Sequence, residues 1–310
     1  MPIYEFECEA CGEVCEELVA VGAAVACPGC GSERTRRLMS AVSMSFGIAP
    51  AIAPIVGGCL VAFARWPMIF WLLAAFAAAL WLVCLAWLPE THPRERRVPL
   101  SVHELHATYR RIGLDRAFLP LALAGTLNFN ALFVYVASAP AFVLNLLKLD
   151  AQHFAWLFIP AISGMMIGAF ISGRLAGKLS ARATVRLGYA IMLGASALNL
   201  GIAFLLPEPK VPWSVLPVGL HAIGIGINFP TLTLLLLDRF PLHRGAVSSV
   251  QAFVSLVISA TLAGAISPLV SGSAMSLALT AATATTLGFA SWRLYRRIEN
   301  REARMVAQAA

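Results

Sequence analysis

From Gly47 onward the chain alternates long apolar runs with short polar segments. Eight such runs, at roughly 47–63, 68–88, 118–142, 154–173, 184–206, 213–236, 246–270 and 273–291, approach the ~20 residues that cross a hydrocarbon core as a helix. The residues before Gly47 follow another pattern: they are polar, acidic and punctuated by two cysteine pairs, Cys8-x2-Cys11 and Cys27-x2-Cys30. The expected fold class is therefore mainly α, a polytopic membrane protein of about eight transmembrane helices preceded by a small β zinc ribbon.

The spacing of the runs predicts an organisation. Two runs come first, then a charged loop containing Pro89, Pro93 and Pro99, then six runs joined by short turns. Carriers are commonly built from six-helix halves, each made of two three-helix repeats, with a long loop between the halves. On that template residues 1–46 form the ribbon and 47–88 the last two helices of an N-terminal half. Residues 89–117 form a cytoplasmic central loop, 118–295 a six-helix C-terminal half, and 296–310 a cytoplasmic tail.

Composition fits this picture. With 59% hydrophobic and 13% charged residues and a mean hydropathy of +0.78, the chain is far more apolar than a soluble domain, and the lipid bilayer is its expected surroundings. The net charge of +7 is informative through its placement. Twenty of the twenty-three Lys and Arg fall in the ribbon, the central loop, the segments near 174–186 and 238–245, or the tail, and only Arg65, Lys148 and Lys210 fall in the opposite loops. The positive-inside rule then puts both termini on the cytoplasmic side of a cytoplasmic (inner) membrane. Met1-Pro2-Ile3-Tyr4 leads into acidic residues and not into a secretory h-region, which agrees with a cytoplasmic N-terminus. The ribbon itself, with seven Glu against three Arg, has the wrong sign for phosphate, so no nucleic-acid partner is expected.

A reducing compartment favours metal over disulfides for paired CxxC knuckles. One structural Zn²⁺ is expected on Cys8, Cys11, Cys27 and Cys30, with Cys15 outside the ligand set. Cys59 and Cys84 read as small apolar fillers of membrane helices.

Two resemblances follow from longer motifs. Ala53-Pro54-Ile55-Val56-Gly57-Gly58, Arg65-Trp66-Pro67-Met68-Ile69-Phe70-Trp71 and Leu88-Pro89-Glu90-Thr91 resemble the fifth and sixth helices of major facilitator drug-efflux transporters of the Bcr/CflA type, with Ala53 where that family has Gly. Arg244-Gly245-Ala246-Val247-Ser248-Ser249-Val250-Gln251-Ala252-Phe253 is similar to the start of that family's eleventh helix. Gly173-Arg174-Leu175-Ala176-Gly177-Lys178 resembles its second cytoplasmic Gly-x-x-x-Asp-Arg loop, with Gly177 in the place of the Asp. The resemblance covers about 47–295 and implies proton-coupled efflux of small amphipathic drug-like molecules, by a chain that lacks counterparts of the family's first four helices. Met1-Pro2-Ile3-Tyr4-Glu5-Phe6-Glu7-Cys8-Glu9-Ala10-Cys11-Gly12, Cys27-Pro28-Gly29-Cys30-Gly31-Ser32 and Arg37-Leu38-Met39-Ser40-Ala41-Val42-Ser43 resemble the FmdB-type zinc ribbon, which implies a regulatory or interaction module.

Within the apolar runs no Asp, Glu, Lys or Arg falls near a bilayer midplane, where proton relays usually sit. The polar candidates for a substrate path are Asn128, Asn130, His221, Asn228 and Gln251, with His221 and Asn228 at i and i+7 on one helix face. Interhelical hydrogen bonding is the plainer role for the same residues. Gly164, Gly168 and Ser172 form a small-xxx-small ridge suited to close helix packing. His103-Glu104-Leu105-His106 places its histidines three apart, not the four a zinc protease needs, and reads as part of a solvated basic linker helix. No phosphate-cradling loop or nucleophile elbow occurs, so catalysis is not expected. Transport is the expected function, with coupled export by this chain alone not expected unless a partner chain supplies further helices. The alternative is a membrane-tethered zinc-ribbon regulatory or interaction protein.

Overall fold

The computed structural model describes residues 3–8, 10–11, 14–18, 26–32, 35–37, 67–88, 101–176, 178–206, 208–241 and 243–309. The apolar run expected at 47–63 lies outside these. Seven helices among the described residues are long and apolar enough to cross a membrane, and they coincide with the other seven expected runs.

At the N-terminus three short strands, β1 (Ile3–Cys8), β2 (Val14–Leu18) and β3 (Thr35–Arg37), form an antiparallel sheet in the order β2-β1-β3. The register pairs Ile3 with Leu18 and Glu7 with Val14 on one side, and Phe6 with Arg37 and Cys8 with Thr35 on the other. The central strand thus ends at a cysteine.

The chain divides into two compact units, Met44–Ala107 being one of them. Its described span is α1 (Pro67–Trp87). Proline is suited to the first helical position because its missing N–H has no partner there, and the helix that follows is apolar on every face with a mean hydropathy of 2.5. A helix with no polar stripe belongs in lipid.

The other unit contains the ribbon and the six-helix bundle. Helix α2 (Val102–Leu114) begins in the Met44–Ala107 unit, where His103, Glu104 and His106 are exposed, and ends in this one, where Ile112 is buried. Then come α3 (Phe118–Ala137), α4 (Ala155–Leu175), α5 (Ala181–Leu205), α6 (Leu216–Arg239), α7 (Arg244–Val270) and α8 (Ala274–Ala309). Helix α6 is the hub, packed on α3, α4, α5 and α7, while α8 lies along α3 and α5. The core is built from Phe118, Leu121, Tyr189, Met192, Ile225 and Leu236, with Phe118 set edge-on against Phe240 at 6.3 Å. Helix α7 contains a widened π-type turn at Leu262–Ile266, and α8 continues as helix well past 291, through the segment read as a tail.

The small-residue ridge explains the tight α4–α6 pair. A Cβ on Gly164 would press on the Gly219 carbonyl, and one on Gly168 would press on the Ile223 carbonyl and lie 2.9 Å from the Gly226 Cα. Ser172 continues the ridge and donates to the Ile227 carbonyl at 3.2 Å. In lipid, where apolar side chains gain nothing by leaving solvent, backbone approach of this kind is what holds helices together.

Candidate functional site

Three polar constellations stand out, at different levels of the molecule. The first is the cysteine cluster. Cys8 leaves the end of β1, Cys11 follows in the turn, and Cys27 and Cys30 come from a knuckle closed by Gly31 N–H to the Cys27 carbonyl at 2.8 Å and Cys27 N–H to the Ser32 carbonyl at 2.9 Å. Gly31 takes φ +71, a conformation that favours glycine. The four sulfurs lie within 4.8 Å of one another, with Cys8–Cys30 and Cys11–Cys27 each at 3.5 Å. Tetrahedral Zn–S bonds of about 2.3 Å put sulfurs about 3.8 Å apart, so the donor set fits a zinc ion. Backbone N–H groups of Cys11 and Ala10 aim at the Cys8 sulfur and hold its thiol down to about 7, favouring the thiolate that a metal binds. The side chain of Cys15 is outside the described set.

The second constellation is the bundle interior. Asn128 on α3, and His221 and Asn228 on α6, are all buried. The His221 imidazole lies against the backbone of Asn128 and of Met192, and the Asn228 amide packs on Gly188, where any side chain would displace it. The Asn128 amide faces Gly288 of α8 and sits beside Tyr189, whose hydroxyl donates to the Ala124 carbonyl at 3.2 Å. Both amides and the His221 Nε2 lack a partner in hydrogen-bonding geometry among the described residues. Each such atom costs about 1–3 kcal/mol when left unsatisfied in a closed interior, so this is where a polar ligand or water would gain most.

Asn130 behaves differently. It turns to α7, accepting from Ser259 at 3.1 Å while its own amide donates to the Thr126 carbonyl at 2.9 Å. Thr126 pairs with Ser255 at 2.7 Å and Ser138 with Ser267 at 2.8 Å, so α3 and α7 are joined by three rungs, each linking residues 129 apart in sequence. Gln251 is half-buried above the ladder, facing Gly125. The five sequence-selected polar residues therefore divide: Asn128, His221 and Asn228 point into the bundle between α3, α5, α6 and α8, whereas Asn130 and Gln251 belong to the α3–α7 seam.

Sequence reasoning missed a neighbouring pair. Asn199 on α5 donates to the Tyr135 hydroxyl at 2.7 Å, and with Ser196, which donates to Thr285 at 3.4 Å, these residues and His221 border a cavity of about 10 Å³. That is close to the room one water needs. An asparagine within an apolar run was the available signal for Asn199, the same one that singled out Asn128.

The third constellation lies at the end of α6. Arg239 grips Asp115 with two bonds of 2.8 Å and Glu302 with bonds of 3.1 and 3.0 Å, joining the turn before α3 to the far part of α8. Burial alone would raise the Asp115 carboxyl, but bonds and charge from Arg239, with the N–H groups of Ala117 and Phe118, outweigh it and hold the group below its ordinary value.

A six-helix bundle with a polar interior, preceded by an all-apolar span, is an arrangement that family comparison can place. The family model described as Major Facilitator Superfamily matches residues 18–268. The chain belongs to the major facilitator superfamily. Among its curated relatives, this major facilitator chain is 24% identical over 194 residues to the bicyclomycin resistance protein homolog of Haemophilus influenzae, covering 58% of the chain and 49% of that protein. It is 29% identical over 230 residues to the multidrug resistance protein MdtM of Escherichia coli K12, covering 74% and 55%. It is 28% identical over 211 residues to the multidrug transporter MdfA of Edwardsiella piscicida, covering 68% and 51%. The chain spans about half the length of the curated relatives it matches.

Proposed function

We propose that the membrane part of this chain is a substantial portion of a multidrug-efflux carrier, and that the six-helix bundle forms one wall of its substrate path. The observation that carries this is the buried, unsatisfied trio of Asn128, His221 and Asn228 inside a bundle whose relatives are named for multidrug and bicyclomycin resistance. Ionisable groups at membrane depth, such as His221, mark substrate and ion pathways. The substrates would be small amphipathic drug-like molecules, with protons as the coupling ion. His221 is the titratable side chain in the buried trio.

Alternating access requires one half of a carrier to rock against another, and on this reading the six spans from Phe118 onward make up one such half. Cells expressing the chain alone are expected to show no gain in resistance to ethidium-like compounds, and inverted vesicles no substrate-driven proton flux. Robust flux that is lost in His221→Ala would overturn this half-wall reading and make His221 the coupling residue.

The ribbon supports a structural zinc on Cys8, Cys11, Cys27 and Cys30, and its resemblance to FmdB-type ribbons fits an accessory role. We place transport ahead of a purely regulatory role because the matches to transporters extend over most of the chain. The basic asymmetry supports a cytoplasmic membrane location with both termini inside. Reporter fusions after Ala310 and beside Lys210 are expected to lie on opposite sides; the same side for both would exclude this topology.

A further inference from the structure

We propose that the outer face of α8, where the helix leaves the bilayer, binds the phosphate headgroups of anionic phospholipids. The helix is unusual in its length: 36 residues, of which only the first half is apolar. Its charged half is sorted by face. Glu299 receives Arg182 at 3.4 Å and Arg296 at 2.6 Å, and Glu302 receives Arg239, so both acids point at the bundle. Trp292 and Tyr295 are buried on that same side.

Arg293, Arg297, Arg301 and Arg304 are all exposed, and none makes an ion pair among the described residues. At 100° per residue they fall within an arc of about 80°, and the arc points away from Glu302, which is about 100° or more from each of them. The guanidinium of Arg293 lies over the Phe289 ring at 5.8 Å, the last aromatic of the apolar segment, so the stripe begins where the apolar surface stops.

Position selects the partner. The stripe rises about 16 Å along the helix, and the interfacial layer on each side of a hydrocarbon core is about 5–7 Å deep. Arg293 and Arg297 therefore sit among headgroups, and Arg301 and Arg304 lie just beyond, near a Debye length of about 8 Å from the surface. Guanidinium forks match phosphate oxygens two at a time, and clusters of four or more basic residues just past a span are attracted to anionic leaflets. The sorting of acids to one face and arginines to the other leaves a surface complementary to phosphodiester anions fixed in the plane of the membrane. This inference rests on the bilayer position of α8 and not on the transport reading.

The test uses the full chain in nanodiscs, either of phosphatidylcholine or of phosphatidylcholine with phosphatidylglycerol, with lipids retained after extraction counted by native mass spectrometry. The chain is expected to retain phosphatidylglycerol about tenfold above its share of the mixture, and R293Q/R297Q/R301Q/R304Q to bring this near to onefold. R297Q/R301Q, a milder change, is expected to lose about half the enrichment, and keeps the test available should the fourfold variant not fold. Removing two charges elsewhere, with K148Q/K210Q, should leave the enrichment unchanged. Inorganic phosphate added to phosphatidylcholine discs should not shift the melting temperature. Enrichment that survives in both arginine variants, or falls equally in K148Q/K210Q, overturns the proposal. So does stabilisation by inorganic phosphate equal to that by phosphatidylglycerol.

Discussion

Valine in place of Gly168 should leave very little folded bundle. The added carbons have nowhere to go, because the Ile223 carbonyl and the Gly226 Cα already occupy the position of a Cβ, and these are backbone atoms that cannot swing aside. To admit the side chain, α4 must move off α6, and the contacts of Gly164 with Gly219 and of Ser172 with the Ile227 carbonyl go with it. Overpacking in a tight core costs about 1–3 kcal/mol, and a clash against backbone along a whole ridge belongs at or above the top of that range. At 1.4 kcal/mol per tenfold, about 3 kcal/mol lowers the folded fraction's equilibrium constant by more than a hundredfold. Gly194→Val is the matched control, since a Cβ at Gly194 meets nothing within 4 Å. Thermal unfolding of the purified proteins in detergent should separate the two variants widely. Equal melting temperatures would mean that α4 and α6 are not held by this ridge.

Loss of zinc should have a comparably large but local effect. The three strands of the ribbon form too small a sheet to fold on a hydrophobic core alone, and structural zinc supplies about 10–16 kcal/mol in such modules. Metal analysis of the full chain is expected to give one zinc per molecule, and Cys8→Ser, Cys11→Ser, Cys27→Ser or Cys30→Ser to abolish it. Cys15→Ser should retain the metal. A content well below one, or a loss in Cys15→Ser matching that in Cys8→Ser, would refute the four-cysteine site. Among the described residues the bundle helices pack chiefly on one another, so the bundle's melting is expected to be little affected by chelation.

Hydropathy alone located the described spans, because a bilayer imposes one length on every helix that crosses it. Small residues four apart announced the α4–α6 ridge for a similar reason: close approach in lipid permits few alternatives. What could not be read was pairing. That Asn199 meets Tyr135, or that Arg239 gathers Asp115 and Glu302, depends on which helices become neighbours, and no periodicity within a single helix encodes that. Hydropathy also carries no information on how far α8 extends beyond the bilayer. Hydropathy falls after 291, yet the helix continues: Tyr295 is buried, Glu299 takes Arg182 and Glu302 takes Arg239 from the bundle, while the arginines of the outer face are solvated. The cysteine spacing picked out the four residues whose sulfurs converge, since a site that could hold a metal requires convergence whatever the surrounding fold.

The π-type turn at Leu262–Ile266 acts as a phase correction for α7. On an unbroken α-helix Ser267 would lie about 80° round the axis from Ser259. A π turn advances only roughly 80° per residue, so its five residues remove about 100° and bring Ser267 back to within about 20° of Ser259's bearing. The third rung of the α3–α7 ladder, Ser138 to Ser267 at 2.8 Å, forms directly after this turn. Two helices with a 3.6-residue pitch drift out of step within a few turns, and a single over-wide turn is the least disruptive way to bring them back into alignment.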